Sequence, residues 1–107
     1  MKWVNRKCKD FLIGQGYENI YMFPHSRFSQ DFCVSVNNEK NQSVFAKFDG
    51  FALKKGEICL FQFKSNNKPP LQPYMKFSEQ YHLPCKVLVY YDREGVKEFS
   101  FQATDSK

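Results

Sequence analysis

Asp49, followed at once by Gly50, and then Gln62 and Lys64 have the side-chain types and the spacing to act on a phosphate. Val44 to Leu53 reads as a strand, Lys54-Lys55-Gly56 as a tight turn and Glu57 to Lys64 as a second strand, so the span is a hairpin. Side chains alternate along a strand, which puts Ile58, Leu60, Gln62 and Lys64 on one face and Cys59, Phe61 and Phe63 on the other. The first face turns from apolar to polar toward the strand's end. Long polar side chains that are each flanked by Phe are not the pattern of a solvated edge. Antiparallel pairing brings Asp49 back to the same end, where a carboxylate, an amide oxygen and an ammonium would converge. That is the equipment for metal-assisted phosphodiester hydrolysis. Asp49 offers a hard oxygen to Mg²⁺, which polarises the phosphate and lowers the pKa of bound water. Lys64 neutralises charge developing in the transition state or orients the attacking water. In the plain alternative, Asp49 is a turn residue before a glycine and Lys64 a solvated charge at a strand's end.

Such a hairpin needs a scaffold on both sides. In residues 2–13, Val4, Cys8, Phe11 and Leu12, with Trp3, recur at helical spacing, and Gly14 and Gly16 end the segment. A strand is expected near 18–23, then a loop from Pro24 to Gln30. A second strand carries Phe32, Val34 and Val36 in alternation, and Asn37 to Asn41 is a polar turn. After Lys64, the stretch Ser65 to Pro70 is a proline-rich loop. Pro73 suits the first turn of a helix running to about Tyr81, with Tyr74, Phe77 and Tyr81 on one side and Leu83-Pro84 closing it. Lys86 to Tyr91 is the most buried-looking strand. Asp92 to Gly95 turns into a last strand, Val96 to Phe101. The order is helix, four strands, helix, two strands. A strand–helix–strand passage of this kind joins parallel neighbours. The expected fold class is α/β, a mixed sheet with one helix on each face or two on one.

Asp49-Gly50 followed by Gln62-Phe63-Lys64, set between a helix and a helix–strand unit, resembles the PD-(D/E)XK nuclease superfamily. Within it the chain is most similar to the small archaeal-type Holliday junction resolvases. The likeness in element order covers most of the chain, and its specific part runs from Asp49 to Lys64. The resemblance implies a restriction-endonuclease-like αβββαβ core, a central mixed β-sheet flanked by helices. It implies a metal-dependent endonuclease using Mg²⁺, or Mn²⁺ in its place, and a homodimer acting on duplex or branched DNA. Asp49, Gln62 and Lys64 would be the catalytic residues. Gln62 stands where the family has Asp or Glu, and a neutral amide binds Mg²⁺ more weakly than a carboxylate. On the first helix, where the resolvases carry a Glu, there is only Asp10. Some family members move the missing carboxylate to the helix after the lysine. Glu79, 15 positions after Lys64, is the candidate there, making Asp49, Gln62 and Glu79 the expected metal ligands. Gln80 lies beside it, and Glu57 sits at the wrong end of its strand.

Composition bounds these readings. The 107 residues make one domain, 1–107, too short for a two-domain enzyme or a (β/α)₈ barrel. A hydrophobic fraction of 42%, with twelve Phe, excludes a disordered tail. Sixteen basic against eleven acidic residues leave +5, which favours phosphate-bearing partners without specifying one. Arg27, Lys54, Lys55 and Lys68 are the candidate phosphate contacts. Cys8, Cys33, Cys59 and Cys85 lie too far apart in sequence for a zinc pair and read as buried free thiols. His25 and His82 stand without partners. No signal peptide, membrane span or nucleotide-binding motif appears, so the expectation is a soluble, cytoplasmic protein. Two rivals remain: a non-catalytic nucleic-acid-binding or protein-interaction module on a decayed nuclease fold, favoured by Gln62, and a protein adaptor with no nucleic-acid role.

Overall fold

In the computed structural model, residues 2–24 and 32–102 are described. Helix α1 spans Lys2–Gly14. Val4, Cys8 and Leu12, one turn apart on one stripe, are buried. Trp3 does not join that stripe. It is 56% exposed, with the Lys7 ammonium 4.6 Å from its ring centroid. The last turn of α1 is closed from outside, where the Lys54 ammonium donates to the Gln15 carbonyl at 2.9 Å.

Among the described residues seven strands follow: β1 (Asn19–Met22), β2 (Phe32–Asn37), β3 (Ser43–Phe48), β4 (Gly50–Lys54), β5 (Glu57–Ser65), β6 (Cys85–Tyr91) and β7 (Gly95–Phe101). Helix α2 (Gln72–Tyr81) lies between β5 and β6, with Pro73 in its first turn. His82 ends the helix in the left-handed region at φ 56°, its N–H donating to the Ser78 carbonyl. A five-stranded mixed sheet has the order β1-β4-β5-β6-β7. Its one parallel pair is β5 and β6, joined by α2, with Gln62 beside Val87 and Lys64 beside Val89. The architecture is therefore α/β, a mixed central sheet with a helix on each face.

The alternation read for β5 sets the two cores. Phe61 and Phe63 pack with Val4, Cys8, Leu12, Ala52 and Leu88 under α1. Leu60 packs with Val87, Val89, Tyr74 and Phe77 under α2. Phe61 and Phe63 stack with centroids 4.4 Å apart.

Val44 to Leu53 is not one strand. It breaks at Asp49, because β3 pairs only with β2 in a separate two-stranded sheet, while β4 joins the main sheet. The β2–β3 hairpin lies on the α2 side and contributes Val36, Ala46 and Phe48 to that core. Close approach causes the break. A Cβ on Gly50 would stand 2.0 Å from the Tyr21 carbonyl oxygen and 2.7 Å from Phe61 Cζ, so only glycine lets β1 and β5 close around the start of β4.

All four cysteines are free. Cys8, Cys59 and Cys85 are buried, and burial pushes their thiols up to about 12, 11 and 12. Cys33 is exposed instead, because it alternates onto the outer face of β2. No helix among the described residues is long and apolar enough to cross a membrane.

Candidate functional site

Where β3 leaves the sheet, the peptide groups of β5 beyond Phe61 lose their neighbouring strand on that side. Asp49 takes its place. Its backbone N–H donates to the Phe61 carbonyl at 2.7 Å, and its carboxylate Oδ2 accepts the Phe63 N–H at 2.8 Å. The Phe23 N–H donates to the Asp49 carbonyl at 2.8 Å, which fixes the residue from the β1 side as well. A carboxylate thus continues a backbone ladder, so Asp49 is held by three hydrogen bonds, two to β5 and one to the residue after β1, and has little freedom to turn away.

Gln62 is buried at 7% exposure under the hairpin and α2. With its amide nitrogen turned inward, it donates to the Lys47 carbonyl at 2.8 Å and to Asp49 Oδ2 at 3.3 Å. The Tyr74 hydroxyl donates to the same Lys47 carbonyl at 3.0 Å. Burial pushes Tyr74 up to about 12, and the nearby Asp49 charge adds to the shift, so this hydroxyl stays a proton donor at neutral pH. Lys64, two residues on and half-exposed, follows Gln62 on the same face. The structure therefore brings Asp49 and Gln62 into contact and continues their face into Lys64.

The remaining candidates lie elsewhere. Glu79 is exposed on the last turns of α2, 3.6 Å from the Lys76 ammonium. It helps line a cavity of about 420 Å³ with Met75, Ser78, His82, Ser100, Phe101 and Gln102. Phe101 pairs with Cys85, and Cys85 with Leu60, so this cavity lies over the Leu60 end of β5. Lys64 is four residues further on, about 13 Å along the strand. Glu79 is not brought to Asp49, because α2 runs back along the sheet and carries its C-terminal turns away from that end. Gln80 shares that displacement. Asp10 is exposed on α1, and Glu57 is exposed at the start of β5. Among the described residues, no group of three or more His, Cys, Asp or Glu side chains is placed to hold a metal.

Lys54 and Lys55 sit at the β4–β5 turn, also away from Asp49. Lys54 is occupied by the end of α1 and lies over the Tyr17 ring at 5.4 Å. Lys68 lies on the site's side of the sheet, its ammonium 5.6 Å from the Phe99 ring centroid. Phe99 pairs with Val87, which pairs with Gln62, so Lys68 overlies the row of Gln62 two strands away. Arg27 and His25 lie outside the described residues.

Three participants left no signal in the sequence. The Lys47 carbonyl and the Phe63 N–H are backbone groups, and Tyr74 reads as one of three aromatic residues packing α2 on the sheet. The donor set for a hard cation is small: the Asp49 carboxylate, the Gln62 amide oxygen and the Lys47 carbonyl. If the Gln62 amide turns its oxygen inward, three oxygens stand together at the same 2.8 and 3.3 Å spacings with no proton between them. In that orientation these are the three oxygens that would hold a hard cation such as Mg²⁺, whereas the amide turned the other way satisfies the same two neighbours without one.

No protein-family profile matches the sequence, and no curated protein matches it.

Proposed function

We propose that this protein is a Mg²⁺-dependent DNA endonuclease built on a restriction-endonuclease-like αβββαβ core, with Asp49, Gln62 and Lys64 as its site. One observation carries the reading: the Asp49 carboxylate and the Gln62 amide meet at 3.3 Å, and their face continues into Lys64 at the C-terminal half of a central strand. The strand order around them supports it, since β1, β4 and β5 are antiparallel and β5 is joined to a parallel β6 by a helix.

Asp49, Gln62 and the Lys47 carbonyl would hold the cation, which supplies Lewis-acid activation of the phosphate and of a water. The chain's own contribution is positional. The Phe63 N–H and the peptide of Phe23 keep Asp49 from rotating away. The Lys64 ammonium offsets negative charge at the scissile phosphate and stands near enough to solvent to receive a DNA strand. With DNA as the substrate, a homodimer would supply two such sites for two strands.

A second reading rests on the same contact. Asp49 Oδ2, the Phe63 N–H and the Gln62 amide already satisfy one another, and Glu79 is not at hand to add charge. A site of that kind also suits a module that binds nucleic acid without cutting it.

Incubation with branched, duplex and single-stranded DNA separates the two, with Mg²⁺, Mn²⁺ or a chelator present. The nuclease predicts cleavage that needs the metal. Lys64→Ala should lose about a hundredfold or more in cleavage rate and keep DNA binding. Gln62→Glu should tighten the metal requirement to lower concentration. Metal-indifferent binding with no cleavage of any substrate would overturn the enzyme in favour of the module.

A further inference from the structure

Gln62 is a buried amide on the central strand, and the two ends of an amide have nearly the same shape but opposite hydrogen-bonding character. With its nitrogen inward, both ends are satisfied. The N–H groups meet the Lys47 carbonyl at 2.8 Å and Asp49 Oδ2 at 3.3 Å, and the oxygen faces donors. With its oxygen inward, both ends are opposed: the oxygen stands against those two acceptors and the nitrogen against donors only. A planar amide packed in a core therefore has two discrete settings rather than a range of them. The frame around it serves both. The Tyr74 hydroxyl donates to the Lys47 carbonyl at 3.0 Å, and the Phe63 N–H to Asp49 Oδ2 at 2.8 Å, whichever way the Gln62 amide points.

We infer that the Gln62 amide is a latch on the Asp49 site: it stands nitrogen-inward in the metal-free protein, and a divalent cation binds only as the amide turns its oxygen to join the Asp49 carboxylate and the Lys47 carbonyl. This deepens the cation-binding reading of the site and rests on it. Turning gives up two hydrogen bonds, one of them to a charged acceptor, so the closed setting is favoured about thirtyfold or more. Apparent cation affinity falls by the same factor, because only the turned fraction can bind. A monovalent cation, with half the charge, gains too little at three oxygens to offset that, so Na⁺ and K⁺ leave the latch closed. The same geometry explains an amide at this position. A metal-free carboxylate there would lie against Asp49 with no N–H between them, and like charges in a buried site repel. Gln62 instead completes the fold without metal and sets the cation requirement high.

The test is NMR of the Gln62 side-chain amide in isotope-labelled protein, with its protons assigned through the residue's own backbone. In chelator, these buried and bonded protons should exchange slowly with deuterated solvent. Saturating Mg²⁺ should speed that exchange about tenfold or more, as expected when the bonds to both acceptors are released. Its midpoint should match that of the Mg²⁺-induced shifts in the backbone amides of residues 47–50, while KCl at equal ionic strength leaves the protons protected. Thermal melts of Gln62→Glu give a second reading: this protein should melt below the wild type in chelator and regain the loss in Mg²⁺. Fast exchange in chelator, opening by KCl alone, or a Gln62→Glu protein indifferent to Mg²⁺ would overturn the latch. Slow exchange that persists while the backbone signals report bound Mg²⁺ would overturn the latch alone and leave the cation reading standing. No response of any signal to Mg²⁺ would overturn the cation reading and the latch with it.

Discussion

Asp49 carries two roles that substitution can separate. In Asp49→Ala, the Phe63 N–H loses its acceptor at 2.8 Å and the Gln62 amide loses one of its two. Phe63 is 1% exposed and Gln62 7%, so neither group has ready access to water in the folded chain. A hydrogen bond to a charged acceptor contributes about 1.5–3 kcal/mol, and an orphaned buried donor costs about 1–3 kcal/mol. With water entering part of the space left by the carboxylate, the net destabilisation is about 3 kcal/mol. For a domain of this size the melting temperature should fall by roughly 12–20 °C. Asp49→Asn keeps an oxygen for the Phe63 N–H and removes the charge, so its cost is about 1 kcal/mol. Both variants remove the anionic ligand, so both should lose any thermal shift induced by Mg²⁺ or Mn²⁺, and any metal-dependent cleavage. Thermal melts of the three proteins, with chelator and with each metal, read both effects. An Asp49→Ala protein that melts within about 2 °C of the wild type would refute the argument, because the carboxylate would then not be holding β5. Asp49→Asn is accordingly the cleaner probe of chemistry.

Two further outcomes follow from the packing and the charges. Gly50→Ala sets a Cβ 2.0 Å from a backbone oxygen that no side-chain rotation can move. It should cost about 3 kcal/mol or more in urea unfolding, whereas Gly14→Ala, with nothing within 4 Å, should be tolerated. Burial would raise the Glu98 carboxyl, but hydrogen bonds from Lys86, Ser100 and Gln15 outweigh it and hold the pKa below the ordinary 4.5. The unfolded chain therefore takes up this proton first as the pH falls. The stabilisation is whole above that ordinary value and is lost as the pH drops through the lowered one. Glu98→Gln should flatten this limb, with wild-type and variant stabilities converging in acid and separating toward neutrality. Parallel curves at all pH values would refute it.

The local pattern in the chain was enough to set the element types, the two faces of β5 and the end of that strand where polar groups gather. These follow from periodicity: the alternation at Ile58 to Lys64 and the helical spacing of Val4, Cys8 and Leu12 are imposed by burial on one side. Pro73 marked the start of α2 because a residue without an N–H is tolerated in the first turn. Three-dimensional packing alone decided that the strand expected from Val44 to Leu53 divides at Asp49. The steric conflict at Gly50 comes from Tyr21 and Phe61, residues 29 and 11 positions away in the chain, and no local propensity records it. The same holds for the neighbours of Asp49. Its contacts with the Phe63 N–H and the Gln62 amide, and Gln62's bond to the Lys47 carbonyl, depend on two sheets parting at that residue. The displacement of Glu79 has a similar origin: spacing put it on α2, but the direction in which α2 crosses the sheet carried it to the Leu60 end. Sequence periodicity assigns a residue to a face, whereas the course of the backbone through space determines which residues meet there.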